Sequence, residues 1–269
     1  MRTTTTISSI VLLLASSSLA CDISHLTKRS SSTSPWSYDT PTHWADDDQA
    51  NILCHDGMHQ SPIALTSQSM GGPHIPLFNY EGDWAGQISN TGHGIKFVVD
   101  RPEGDNTALP SLDFDGERVY LDSFHTHVPA EHVIDGDRST GEMHFVHVDA
   151  QGNPKAVVAF RFDPSSGSRN VTSTFFEQFG QFPALEEHGS HKRSVKGCRP
   201  SLALHEVAEY HSYWSYSGSL TTPPCSEGLR WFVARDVMVL GDEQLQALVN
   251  VSHYSARPTQ RSWLHDVGK

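Results

Sequence analysis

Histidine takes 17 of the 269 positions in this chain, and two of them, His125 and His127, stand one residue apart. With so many histidines one such triplet is expected by chance, so its meaning depends on context. Residues 119–128 are rich in β-branched and aromatic side chains, which predicts a strand. Residues two apart in a strand point to the same face, so His125 and His127 can grip one ion together. His144 lies in the next strand-like segment, beyond the turn-forming Asp135-Gly136-Asp137-Arg138. If the two strands are neighbours, three imidazoles converge. Three histidines with an open fourth position form the arrangement of a catalytic zinc site rather than a structural one. Glu142, two residues before His144 and on the same face, is placed to take that ligand's other ring N–H.

Two other metal patterns compete for the same residues. His55-Asp56-Gly57-Met58-His59 approximates the helical metalloprotease motif, with Asp in place of Glu. Gly57 and the nearby Pro62 argue against the helix that would align its rings. His125-x-His127-x-x-x-Glu131 also fits the first metal motif of cupin barrels, where Glu131 would be a ligand. The Pro-x-Gly-x-x-His stretch that completes a cupin site does not precede His144, so that reading is the weaker one.

The elements that must position these residues are mostly strands. Segments 94–99, 119–128, 143–148, 156–162 and 229–233 carry the pattern. Helical signals are confined to 170–179 and 242–250, the second with Asp242 as its N-cap. The expected fold is α+β and β-dominated. It is a single domain around one large, mostly antiparallel twisted sheet with a few short peripheral helices. The polar, basic stretch 186–200 reads as a surface insertion.

Residues 1–20 read as a secretory signal, with Arg2 ahead of an apolar run and small residues at Ser18-Leu19-Ala20. The run is too short to span a membrane. Residues 21–34 form a Ser/Thr-rich leader or propeptide with a dibasic Lys28-Arg29, and 35–269 form the domain. Asn170 and Asn250 head glycosylation acceptor triplets. The net charge of −12 argues against nucleic acid, which needs a basic stripe, and nothing points to a membrane surface. The four cysteines, Cys21, Cys54, Cys198 and Cys225, should pair in an oxidising compartment, with three connectivities open.

Several stretches resemble the α-class carbonic anhydrases, in the family's order and over roughly residues 35 to 265. Ser123-Phe124-His125-Thr126-His127, with the following Glu131-His132, is similar to the family's Gln-Phe-His-Phe-His and Ser-Glu-His. Gly141-Glu142-Met143-His144-Phe145-Val146-His147 resembles Ala-Glu-Leu-His-Leu-Val-His. Tyr216-Ser217-Gly218-Ser219-Leu220-Thr221-Thr222-Pro223-Pro224 nearly repeats the Tyr-x-Gly-Ser-Leu-Thr-Thr-Pro-Pro signature. Gln60-Ser61-Pro62, Asn90-Thr91-Gly92-His93, Ala156-Val157-Val158 and Arg257-Pro258 extend the match.

The resemblance implies a secreted zinc lyase that interconverts carbon dioxide and bicarbonate through zinc-bound hydroxide. Carbonic anhydrases are themselves the standard case in which zinc lowers the pKa of its water to about 7. It further implies zinc on His125, His127 and His144. Glu131 and Thr221 would orient the hydroxide, with Thr222 bordering the site and His93 exporting the proton. Val146, Val157, Leu220 and Trp231 would wall the CO2 pocket. Glu142 and Ser123 would support the ligands, although Ser123 stands where the family has Gln, and Lys96 where it has a polar Asn. Ser255 replaces an Asn whose backbone carbonyl meets a ligand histidine. Extracellular members join cysteines at the positions of Cys54 and Cys225. That leaves Cys21 and Cys198 to pair, or Cys198 to link a homodimer. Sulfonamides and anions are the inhibitors implied, and side esterase activity would share the site. The competing class is a catalytically silent relative, but such proteins typically lose a zinc histidine, and all three are present.

Overall fold

The computed structural model describes residues 36–69, 71–165, 171–185 and 192–269. The signal and leader readings, Cys21 and Asn170 fall outside these residues. Thirteen strands form among them. A small parallel pair joins β1 (Ala64–Leu65) to β7 (Val133–Ile134). The other eleven make one sheet: β2 (Leu77–Asn79), β3 (Trp84–Asn90), β4 (Ile95–Val99), β5 (Ser111–Phe114), β6 (Glu117–His127), β8 (Gly141–Val148), β9 (Pro154–Pro164), β10 (Arg193–Cys198), β11 (Tyr213–Ser219), β12 (Glu227–Ala234) and β13 (Met238–Leu240). Its main path runs β10-β3-β4-β6-β8-β9-β12-β11. Pairing is antiparallel except where β12 and β13 lie parallel to β9. The expected large, mostly antiparallel sheet with peripheral helices is therefore what the chain forms.

Alternation along the central strands separates two layers. Ile95, Phe97 and Val99 of β4 are buried, as are Phe124 of β6 and Phe145 of β8. Their rings meet across the strands, Phe97 stacked on Phe124 at 5.1 Å and Phe124 tilted against Phe145 at 5.4 Å between centroids. Phe175, Phe176 and Phe179 close this core from outside the sheet. Each such side chain contributes roughly 1.5–3 kcal/mol on burial. The opposite face of β6 and β8 is thereby left to polar residues, among them the histidines.

Three expectations need correction. The helix expected at 170–179 is one turn, Thr174–Glu177. Ser173 caps it through Phe176 N–H, and Gly180, at φ +57, turns the chain away soon after. The last α-helix does span Asp242–Asn250, but Gly241 is its N-cap and Asp242 is its first residue. There Asp242 and Glu243 complement the helix dipole instead of capping. Part of the stretch expected to be a surface insertion is an edge strand, because β10 pairs with β3. Its polar, mostly exposed residues hide only Val195 and Cys198, which is why no apolar pattern announced it.

Cys54 and Cys225 are joined by a disulfide. Cys198 is a free thiol, fully buried and pushed up to about 12 by that burial. The inter-chain bridge expected through Cys198 would require β10 to open. Among the described residues no helix is long and apolar enough to cross a membrane.

Candidate metal centre

Strand register assembles the site. His125 on β6 pairs with His144 on β8, and His127 pairs with Glu142. Paired residues share a face, so all four project together. The ring centroids lie 4.9 Å apart for His125 and His127, 5.4 Å for His125 and His144, and 4.6 Å for His127 and His144. One ligand-capable atom from each comes within 4.8 Å of the other two.

Their outer nitrogens are anchored unequally. His127 Nδ1 lies 2.6 Å from the Ser255 carbonyl, so the Asn-to-Ser change leaves this contact intact. His144 Nε2 donates to Glu142 Oε1 at 2.9 Å. Among the described hydrogen bonds none joins Ser123 to His125, although Ser123 is buried beside it. A serine hydroxyl is shorter than a glutamine amide.

Burial holds His125 well below its usual range, and the charges of His127, His144 and Lys96 add to the shift. Burial pushes His127 down to about 4. His144 is also lowered by burial, against the pull of Glu142. All three are neutral at neutral pH, with lone pairs free for a cation. His127 Nε2 is buried without a hydrogen-bond partner. Such an atom costs about 1–3 kcal/mol unless something takes its lone pair, and a zinc ion fits that need.

A second group, His132, Glu142 and His144, is also close enough to hold a metal. It is already satisfied internally. His132 Nδ1 is 2.5 Å from Glu142 Oε1, and His132 Nε2 is 2.8 Å from Tyr216 Oη. Glu142 Oε2 accepts the N–H groups of Glu131 and His132. This cluster is the support behind His144. Sequence reasoning assigned no role to His132 or Tyr216, and the only signal was their place inside the family motifs.

Glu131 is fully buried. Its Oε1 accepts the Arg257 backbone N–H at 2.8 Å, while Oε2 lies 3.5 Å from His127 Nε2 and has no hydrogen-bond partner. Burial raises this carboxyl to about 7, while His144 and a hydrogen-bonding pull from Thr221 lower it. Among the described hydrogen bonds the Glu131 carboxyl is joined to the Arg257 N–H and not to Thr221. A divalent cation on the histidines would draw Glu131 toward its charged form. The Arg257 guanidinium donates to Gln60 Oε1 and to the Ser61 and Cys54 carbonyls. It thus ties two distant motifs to the disulfide.

The apolar residues follow the same rows. Val146 pairs with Val157, and Val157 with Trp231, one row from the histidines. Val146 is the only partly exposed residue of β8. Trp231 meets His144 edge-on at 4.9 Å, and Leu220 packs against the cluster holding Val157 and Trp231. Thr221 is buried and Thr222 is partly exposed, in a loop closed by Leu220 N–H to Ser226 O and Cys225 N–H to Thr222 O. His93 is half-buried, stacked on Trp36 at 5.2 Å and edge-on to Tyr38 at 5.0 Å. Asn250 is exposed, and its Oδ1 accepts from Gln246. His55 and His59 do not meet in any metal-sized cluster among the described residues.

Three imidazoles converge from one face of a mixed sheet, with a buried carboxyl beside them, in a cluster that could hold a metal ion. The family model for eukaryotic-type carbonic anhydrase matches residues 39–266, and the chain belongs to that α-type carbonic anhydrase family. A carbonic anhydrase of Pectobacterium atrosepticum is 32% identical over 230 residues, covering 84% of this chain and 86% of the relative. The α-carbonic anhydrase of Thermovibrio ammonificans, solved with the inhibitor sulfanilamide, superposes with a TM-score of 0.72 at 32% identity, covering 85% of this chain and 95% of that one. A fungal α-carbonic anhydrase from Aspergillus oryzae gives 0.70 at 26% identity, covering 82% and 89%.

Proposed function

We propose that this chain hydrates carbon dioxide reversibly to bicarbonate and a proton, at a zinc ion held by His125, His127 and His144. The observation that carries this reading is the partnerless His127 Nε2 beside two other neutral imidazoles. When bound, zinc supplies a Lewis acid that makes water nucleophilic near neutral pH. The chain's own residues do the rest. Glu131 and Thr221 orient the attacking oxygen, which is worth most when the geometry is fixed in advance. Val146, Val157, Leu220 and Trp231 give CO2 an apolar wall, and Thr222 borders the site. His93 takes the proton outward.

The sulfanilamide complex of the Thermovibrio relative supports sulfonamide inhibition here, with anions as the second inhibitor class and esterase turnover as a side activity. The disulfide suits an oxidising compartment. With the signal-like residues 1–20 and the leader 21–34, it supports secretion of a mature domain at 35–269, with Asn250 exposed for glycosylation.

The deciding experiment combines metal analysis with CO2 hydration. The expected result is about one zinc per chain and rapid hydration. Alanine at His144 should strip zinc, whereas alanine at Thr221 should keep it and slow turnover by roughly 100-fold. A protein that holds its zinc yet hydrates no CO2 would be a silent binding relative, and the enzyme reading would fall.

A further inference from the structure

We propose that Lys96 is an anion-binding residue of this site, holding bicarbonate, or an inorganic anion that competes with it, beside the metal ligands. The inference rests on the hydratase reading for the identity of its ligand, and on geometry for its position. Lys96 on β4 pairs with His125 on β6, and Phe97 pairs with Phe124. Phe97 and Phe124 stack in the core, so Lys96 projects to the opposite face, where the metal-ligating histidines stand.

The surroundings of Lys96 are cationic. The charged groups acting on it are Lys192 and Arg101, both of the same sign. Arg101 is already paired with Asp122. Among the described residues neither Lys96 nor Lys192 has a carboxylate partner. A half-buried ammonium without a counter-ion is costly, and here it sits in a chain of net charge −12. The basic spot is therefore local, on the cross-strand row that carries His125 and His144. Uncharged CO2 gains nothing from it, whereas bicarbonate does. Lys96 thus acts on product retention and on selectivity among competing anions.

The test titrates thiocyanate into the cobalt-substituted protein and follows the visible spectrum, with bicarbonate KM measured on the zinc enzyme. Lys96→Gln should weaken thiocyanate roughly 3- to 10-fold and raise the bicarbonate KM. Lys96→Arg should stay within about twofold of wild type, because the charge is kept. Lys192→Gln should show a smaller loss. Added inert salt should weaken anion binding in wild type more than in Lys96→Gln, an effect that a purely structural lysine would not produce. Equal thiocyanate affinity in Lys96→Gln and wild type, with cobalt fully bound in both, overturns the inference. So does an arginine variant no better than glutamine. A wild-type protein that binds cobalt and thiocyanate normally but hydrates no CO2 sinks only the hydratase reading.

Discussion

Glu142 Oε1 lies 2.9 Å from His144 Nε2 and 2.5 Å from His132 Nδ1, so one carboxylate oxygen serves two buried rings. This fixes which nitrogen of His144 remains for a metal, namely Nδ1. The second carboxylate oxygen accepts two backbone N–H groups, which leaves Glu142 no freedom to swing toward the ion itself. Burial pushes this carboxyl up, but His132 and then His144 hold it well below its usual range.

Glu142→Gln should therefore loosen the metal more than the fold. The amide keeps the shape but loses the charge that orients and strengthens the ligand. Outer partners of this kind are worth about 10- to 100-fold in metal affinity. Zinc loss to a chelator should quicken accordingly. An unchanged rate would mean that Glu142 is only a packing element.

His93 makes a prediction that separates two kinetic constants. The ring is half-buried between Trp36 and Tyr38, and burial, followed by the charge of His253, lowers its pKa below 6.5. A shuttle must be neutral to accept a proton, so its limb in kcat should fall as pH drops below a midpoint lying under 6.5. Proton export follows CO2 conversion, so kcat/KM should not carry this limb. His93→Ala should cut kcat by roughly 10²-fold or less, with recovery on adding imidazole buffer. A variant whose kcat stays independent of buffer would remove His93 from the path.

Acid stability should report His147, which lies outside the metal ligands. It is fully buried, bonded to Tyr80 Oη at 2.5 Å, and burial pushes it down to about 3. The unfolded chain, with an ordinary histidine near 6.5, binds the proton first. The contribution is thus complete above pH ~6.5 and is lost as pH falls toward 3, by up to about 1.4 kcal/mol per pH unit. His147→Gln should be less stable than wild type at pH 8 yet lose less on acidification. The check is urea denaturation of the metal-free proteins at pH 8, 6 and 5. Parallel losses in both would assign the acid sensitivity elsewhere.

The sequence was most legible where one face of a strand is buried and the other is not. The two-residue spacing within β6 puts His125 and His127 on one side from sequence alone, and the register brings His144 beside them. It was least legible at the sheet's edges and in side-chain networks. Edge strand β10 buries only Val195 and Cys198, so its composition reads as loop. β11, rich in Ser, Tyr and Gly, registered as a motif rather than a strand. His132 and Tyr216 act through partners 10 and 84 residues away, and no local pattern encodes such distances. Lys96 read only as a departure from the family until pairing with His125 gave it a place.

Gly218 shows what a family motif can mean physically, and it supplies the sharpest stability test. A Cβ at this position would come within 2.2 Å of Ser61 Oγ, 2.7 Å of Tyr216 Cε2 and 2.9 Å of Trp231 Cδ1. None of these neighbours is free to retreat. Ser61 Oγ accepts from Tyr216 Oη and from Ser219 N–H, and Trp231 Nε1 donates to the Ser219 carbonyl. Trp231 also lies edge-on against His144. Gly218→Ala should therefore destabilise the fold by about 1–3 kcal/mol through overpacking. It should also shift the Trp231 indole, the proposed wall of the CO2 pocket, lowering kcat/KM while zinc content stays full. Thermal melts and CO2 hydration on the same preparation test both halves. An alanine variant as stable and as active as wild type would show that Tyr216 and Trp231 can move apart, and that the glycine is not set by their contact.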